Sequence, residues 1–124
     1  MAKILIIDDD PQIVTMLSKF LDLEGHAVVT ASNGKEGLTI LAESAFEVVI
    51  TDMMMPERDG LDVLKTIRNM QNKPKIIAMS GGSPYIDQEH LLRMAKLMKA
   101  DVVIPKPLQL SKLSQKIQEI LSTP

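Results

Sequence analysis

The chain has 124 residues, of which 45% are hydrophobic and 24% charged, and this composition is typical of one globular domain. It contains no cysteine, which excludes disulfide scaffolds, thiolate zinc sites and cysteine nucleophiles. Its 14 basic and 16 acidic residues give a net charge of −2, and its aromatic residues are two phenylalanines and one tyrosine. We therefore expect no direct binding of nucleic acid, because there is neither a basic excess nor a stacking platform.

The first apolar run of the chain ends at three consecutive acids, Asp8–Asp10, and so cannot serve as the apolar region of a signal peptide. No stretch approaches the roughly 18 apolar residues that a membrane span needs. We expect a cytoplasmic protein without membrane insertion, made of one domain over residues 1–124 and acting without an output domain.

Short apolar runs rich in β-branched residues alternate with helical patterns along the chain. The predicted strands are Ile4–Ile7, Ala27–Ala31, Phe46–Thr51, Lys75–Met79 and Asp101–Ile104. The first helix is predicted to begin at Pro11, with Asp10 as its N-cap, and to end before Gly25. Asn33 and Glu36 predict the start of a second helix, in the manner of a capping box.

Three further helical patterns follow the third, fourth and fifth predicted strands. They carry apolar side chains at helical spacing, namely Leu61, Leu64 and Ile67, then Leu91, Ala95 and Met98, then Leu110, Leu113, Ile117 and Leu121. The start of the middle one is open between Pro84 and Asp87. Five strands alternating with five helices predict a doubly wound (βα)5 sandwich around a parallel sheet, of flavodoxin-like strand order 2-1-3-4-5.

Polar residues follow the predicted strands where such a sheet binds its ligands, at the carboxyl ends of the strands. Asp8–Asp10 follow the first strand, Asp52 the third, Ser80 the fourth and Lys106 the fifth. Clustered carboxylates repel one another, and Mg²⁺ relieves that repulsion while preferring oxygen ligands. A carboxylate can also attack phosphorus to form an acyl phosphate, a reaction that Mg²⁺, a lysine and a hydroxyl would assist.

In their order along the chain, these segments resemble the receiver domain of two-component response regulators (CheY-like). The segments are Ile4–Asp10, Val48–Pro56, Asp59-Gly60, Ala78–Gly81 and Lys106-Pro107. The resemblance covers nearly the whole chain. It implies a phosphorylation-controlled module that takes a phosphoryl group from a histidine kinase or a histidine phosphotransfer domain, and that signals to a downstream protein. It implies a phospho-acceptor rather than an enzyme.

The resemblance also assigns roles to individual residues. It makes Asp52 the phospho-acceptor, Ser80 the switch hydroxyl and Lys106 the lysine that contacts the phosphoryl group. It implies a Mg²⁺ site built from Asp8, Asp9, Asp52 and the backbone carbonyl of Met54, in which Asp9 is a direct ligand and Asp8 acts largely through water. The peptide bond that matches Lys106-Pro107 is usually cis in the family.

The sequence departs from the family pattern in positions that concern the output of the signal. Val103 stands where an aromatic residue usually couples the switch hydroxyl to the output surface, and the segment between Ser80 and Lys106 is longer than is common. Gln109 replaces a common helix-capping aspartate.

Two alternatives to a phosphorylated receiver are a pseudo-receiver and a flavodoxin-like ligand binder. A pseudo-receiver would be a binding scaffold that works without phosphorylation, but it would typically have lost the acceptor, the acidic pair or the lysine. A flavodoxin-like ligand binder is disfavoured because Asp8–Asp10 would repel a bound phosphate.

Overall fold

A five-stranded parallel sheet forms the centre of the molecule. The computed structural model describes residues 2–52, 59–80 and 100–122. Its strands are β1 (Lys3–Ile7), β2 (Ala27–Ala31), β3 (Val48–Asp52), β4 (Lys75–Ser80) and β5 (Val102–Pro105). They are ordered β2-β1-β3-β4-β5, and every neighbouring pair is parallel. This order confirms the predicted sheet, and it makes β1 and β3 adjacent central strands.

The strands lie within two residues of their predicted positions. β3 begins at Val48 rather than Phe46, and it extends to Asp52, which pairs with Met79 of β4. The acidic residue is therefore the last residue of the strand rather than the first residue of a loop. Its pairing with β4 supports the backbone more firmly than a loop would.

Four helices are described: α1 (Pro11–Leu23), α2 (Gly34–Glu43), α3 (Asp59–Arg68) and α4 (Leu110–Leu121). As predicted, Asp10 caps α1, because its side chain accepts a hydrogen bond from the Gln12 N–H at 2.9 Å. Gly25 has a φ of +91° just after this helix, a conformation that glycine adopts without strain. The helix predicted through Leu91, Ala95 and Met98 lies outside the described residues.

The beginnings of α2 and α4 differ in their capping. Asn33 accepts a hydrogen bond from the Glu36 N–H at 2.8 Å, whereas the Glu36 carboxylate binds Ser32 rather than returning to Asn33 as in a full capping box. Gln109 occupies the N-cap position of α4 and makes no side-chain capping hydrogen bond. The substitution seen in the sequence therefore leaves α4 without a side-chain cap.

The sheet divides the apolar core into two clusters. One contains the inward residues of α1 and α4, including Leu17, Leu21, Leu113 and Ile117, against Ile4, Ile6, Val48 and Ile50 of the central strands. The other contains Leu41, Val63 and Ile67 of α2 and α3 against Leu5, Ile7 and Val49. Because β1 and β3 are covered on both faces, they read in the sequence as continuous apolar runs.

The second cluster depends on a close approach of α2 to the sheet. A Cβ atom placed on Gly37 would lie 2.5 Å from Cδ1 of Ile7, so a larger residue would require the side chain of Ile7 to shift. Among the described residues, no helix combines the length and the apolar character that crossing a membrane requires.

Candidate functional site

Charged side chains from three strand ends meet at the carboxyl edge of the sheet. Asp8 follows β1, Asp52 ends β3 and Lys106 follows β5. Parallel strands bring their carboxyl ends to one edge, and the adjacency of β1 and β3 brings Asp8 and Asp52 together there.

Three of the predicted acidic residues form one cluster. Asp8, Asp9 and Asp52 each offer a carboxylate oxygen, and these three atoms lie within 4.8 Å of one another. Asp8 and Asp52 are 1% and 4% exposed, whereas Asp9 is exposed to solvent. The cluster therefore has two inner carboxylates and one that can be approached directly from solution.

Lys106 bridges the two inner carboxylates. Its Nζ donates to Oδ2 of Asp8 at 3.0 Å and to Oδ2 of Asp52 at 3.2 Å. The side chain of Lys106 is only 17% exposed, so these ion pairs are largely shielded from water. The resemblance implies that Lys106 contacts the phosphoryl group, and no pattern in the sequence indicates that this lysine also pairs with Asp8.

The carboxylates of Asp8 and Asp10 make different hydrogen bonds although the two residues are close in the sequence. Oδ1 of Asp8 accepts a hydrogen bond from the Asp10 N–H at 2.9 Å, while Oδ2 accepts from Lys106. The carboxylate of Asp10 instead caps α1. This supports the predicted division of the three acids, with Asp10 as a cap and Asp8 and Asp9 in the acidic cluster.

Burial and pairing act in opposite directions on the ionisation of Asp8 and Lys106. Burial raises the pKa of Asp8 above its ordinary 3.8, and the hydrogen bonds from the Asp10 N–H and from Lys106 offset only part of that effect. Burial alone would lower the pKa of Lys106, but its hydrogen bond to Asp8 and the negative charge of Asp52 raise that pKa above 10.5. Lys106 is therefore fully charged at neutral pH.

The raised pKa of Asp8 predicts that its ionisation destabilises the metal-free protein. The folded state holds the Asp8 proton more tightly than the unfolded state, so the stabilisation is complete below pH 3.8 and is lost as the pH rises through the raised pKa. We expect the free energy of unfolding of wild type, relative to Asp8→Asn, to fall as the pH rises above about 4 in the presence of a chelator. Urea denaturation of both proteins across this range measures the difference. A difference that grows in favour of wild type with rising pH would contradict the prediction.

The donor set of the acidic cluster fits a magnesium ion. Three carboxylate oxygens are hard ligands, and the exposed position of Asp9 leaves room for the water molecules that Mg²⁺ retains. Among the described residues, this is the group of acidic side chains with the spacing of a metal site. The proposed fourth ligand, the carbonyl of Met54, lies outside the described residues.

The structure also describes the strand positions of Ser80 and Val103 and the Lys106-Pro107 peptide bond. Ser80 is the last residue of β4 and pairs with Pro105 of β5, which puts its backbone at the same sheet edge. Val103 lies in β5 opposite Ala78 and is half-buried. The Lys106-Pro107 peptide bond is cis, as the resemblance implies.

The sequence matches the family model of the response regulator receiver domain over residues 4–118. The chain belongs to this family. Receiver domains are the phospho-acceptors of two-component systems, and they interact with histidine kinases or phosphotransfer proteins. The resemblance noted in the sequence and the predicted fold class are thus confirmed.

Individual receiver domains show how far the similarity extends. The chain is 38% identical over 121 residues to the transcriptional regulatory protein CpxR homolog of Haemophilus influenzae, covering 98% of this chain and 51% of that protein. A receiver domain protein from Clostridium thermocellum superimposes with a TM-score of 0.82 at 34% identity, over 96% of this chain and 93% of that one. The response regulator TrrA of Thermotoga maritima, solved in complex with Mg²⁺-BeF, has a TM-score of 0.80 at 29% identity, over 97% and 99% of the two chains.

The chain spans about half the length of the curated relatives that it matches. Their names describe transcriptional regulators, so these full-length proteins have a task beyond that of a receiver domain. The prediction that this receiver domain acts without an output domain stays a prediction.

Proposed function

We propose that Asp52 of this receiver domain accepts a phosphoryl group from a histidine of a kinase or phosphotransfer protein, in a Mg²⁺-dependent reaction that switches a protein-interaction surface. The observation that carries the proposal is the convergence of Lys106, Asp8 and Asp9 on Asp52. One cation lies 3.2 Å from the acceptor carboxylate, and two further carboxylates lie within 4.8 Å of it.

The transfer step uses Asp52 as a nucleophile. One carboxylate oxygen forms a bond to phosphorus while the bond from phosphorus to the histidine nitrogen breaks, and the imidazole leaves with the bonding electron pair. Lys106 would pair with the negatively charged phosphoryl group on Asp52, because its Nζ already contacts Oδ2 of Asp52. Ser80, at the end of the adjacent strand β4, is proposed to donate its hydroxyl to a phosphoryl oxygen.

Asp8, Asp9 and Asp52 would hold the magnesium ion together with the carbonyl of Met54. When bound, Mg²⁺ neutralises charge on the phosphoryl oxygens and orients them for in-line transfer. Asp9 is the exposed member of the set and is proposed as the direct ligand, whereas Asp8 also holds Lys106 in place.

The proposal describes a phospho-acceptor and not an enzyme with a separate substrate, because the reacting group is the protein's own Asp52. We place this domain in the cytoplasm, with a downstream protein rather than nucleic acid as its direct partner. The low content of aromatic residues and the net charge of −2 support this assignment.

Incubation with acetyl phosphate tests the proposal directly. With Mg²⁺, we expect the intact mass of the wild type to increase by one phosphoryl group. We expect no increase with a chelator, because Lys106 alone then offsets the negative charge of the three carboxylates and of the phosphoryl group. Asp52→Asn should show no increase in either condition, since an amide is not a nucleophile toward phosphorus. Asp10→Asn is the matched control and should be modified like wild type.

Two outcomes would contradict the assignment. Uptake of a phosphoryl group by Asp52→Asn with the same Mg²⁺ dependence would place the acceptor elsewhere. A wild type that binds Mg²⁺ but takes up no phosphoryl group would favour the alternative, a pseudo-receiver that binds its partners without phosphorylation.

A further inference from the structure

Thr51 is a fully buried hydroxyl residue in a strand that is otherwise apolar up to the acceptor. It is 0% exposed and lies between Ile50 and Asp52 at the end of β3. The alternation of the strand puts Thr51 on the same face as Val49, which packs with the core cluster of α2 and α3, whereas Ile50 packs with the other cluster. Asp52 therefore projects from the opposite face, so the side chain of Thr51 points away from the acceptor carboxylate.

The hydroxyl of Thr51 donates to the backbone carbonyl of Asp52 at 3.3 Å. That carbonyl belongs to the peptide group that joins Asp52 to the next residue. A hydrogen bond to it restrains rotation of this peptide plane, which is set by the ψ angle of Asp52. The bond thus acts on the backbone from which the acceptor carboxylate projects and from which the chain continues toward Met54.

Stability alone gives no reason for a hydroxyl at this position. Valine has nearly the same shape, favours strands equally and would be buried without the cost of removing a hydroxyl from water. The net gain from one buried hydrogen bond is small because water bonds are lost in making it. What threonine adds over valine is the directional restraint on the carbonyl.

We propose that Thr51 is a positioning residue for phosphoryl transfer, which acts by holding the peptide plane that follows the acceptor Asp52. This rests on the proposed function and adds a determinant of its rate. Transfer depends steeply on the placement of the nucleophile and of the groups around it. Relaxing the peptide plane lowers the fraction of molecules in which the Asp52 carboxylate and the following backbone are aligned together.

The test compares Thr51→Val and Thr51→Ser with wild type at saturating acetyl phosphate and Mg²⁺. We expect Thr51→Val to lower the maximal rate of phosphorylation about tenfold, with the half-saturating concentration of acetyl phosphate unchanged within about twofold. Thr51→Ser keeps the hydroxyl and should recover the rate. Thr30→Val, the same substitution in β2, which carries none of the proposed site residues, is the control and should leave the rate unchanged.

A second readout does not depend on phosphorylation. The N–H of Met53 belongs to the same peptide group as the Asp52 carbonyl, so its ¹⁵N resonance in methionine-labelled protein should shift in Thr51→Val and remain near wild type in Thr51→Ser. A wild-type rate in Thr51→Val, a Thr51→Ser protein as slow as Thr51→Val, or an unchanged Met53 resonance in Thr51→Val would each overturn the inference. If wild type itself takes up no phosphoryl group, the proposed function fails, while the Met53 resonance still shows whether Thr51 holds the peptide plane that follows Asp52.

Discussion

Replacement of Lys106 with methionine should lower the free energy of unfolding of the metal-free protein by about 3 kcal/mol at neutral pH. The substitution keeps most of the apolar stem and removes the charge that lies 3.0 Å from Asp8 and 3.2 Å from Asp52. Both carboxylates are buried, and each would be left without this cation. Breaking a buried ion pair from one side is costly because the remaining charge stays in a poorly solvating environment. Urea denaturation in the presence of a chelator measures the loss.

Lys116→Met is the matched control for this substitution. Lys116 pairs with Glu119 at 3.4 Å on the surface of α4, with about half of each side chain exposed, and such pairs contribute about 0–1 kcal/mol. We further expect Mg²⁺ to stabilise Lys106→Met more than it stabilises wild type, because the ion supplies positive charge where the lysine has been removed. Equal losses in the two variants, or no greater effect of Mg²⁺ on Lys106→Met, would show that the bridge contributes little.

Substitution of Asp9 with alanine should raise the dissociation constant for Mg²⁺ by at least about tenfold. Asp9 is the exposed carboxylate of the acidic cluster, and it is free of the contact with Lys106 that occupies Asp8 and Asp52. At a Mg²⁺ concentration 100-fold above the wild-type dissociation constant, binding stabilises the fold by about 2.7 kcal/mol, and Asp9→Ala should lose about half of this or more. Calorimetric titration and urea denaturation with and without Mg²⁺ give the two quantities.

Asp10→Ala is the control that distinguishes the loss of a Mg²⁺ ligand from the loss of an acidic residue nearby in the sequence. Its carboxylate caps α1, so the variant should lose about 1 kcal/mol of stability with and without Mg²⁺, while its Mg²⁺ affinity stays within about threefold of wild type. The reverse pattern, with weak Mg²⁺ binding in Asp10→Ala and a capping loss in Asp9→Ala, would show that the acidic run has been assigned one residue out of register.

The architecture could be predicted from the sequence because its signals are local. The apolar run Ile4–Ile7 is what a strand buried on both faces requires. Asp10-Pro11 marks the start of α1, with Asp10 as N-cap and Pro11 as the first helical residue. The order of the strands then put the residues after β1 and β3 side by side. Asp8, Asp52 and Lys106 could be selected for their chemistry because each follows or ends a strand.

The pairing inside the acidic cluster could not be predicted in the same way. Lys106 and Asp8 are separated by 98 residues, and no local sequence pattern indicates which carboxylate a distant lysine will pair with. Asp8 and Asp9 are neighbours in one acidic run, and no local pattern indicates that the first is buried and the second exposed. That difference depends on how the chain turns as it leaves β1, which is fixed by the hydrogen bond from the Asp10 N–H to Asp8. The role of Thr51 was missed because a threonine in a strand is usually explained by strand propensity alone.

The balance of charge at the acidic cluster has a consequence for the whole molecule. Three carboxylates and one lysine give this cluster a charge of −2, which is also the net charge of the chain. Of the 16 acidic and 14 basic residues, those that remain are 13 of each sign, and they cancel. The formal charge of this cluster therefore equals the excess negative charge of the whole chain, and salt screens its field within about 10 Å at 0.1 M. A bound divalent cation would bring the formal net charge of the chain to zero, which removes the net charge repulsion between the protein and an anionic phosphodonor.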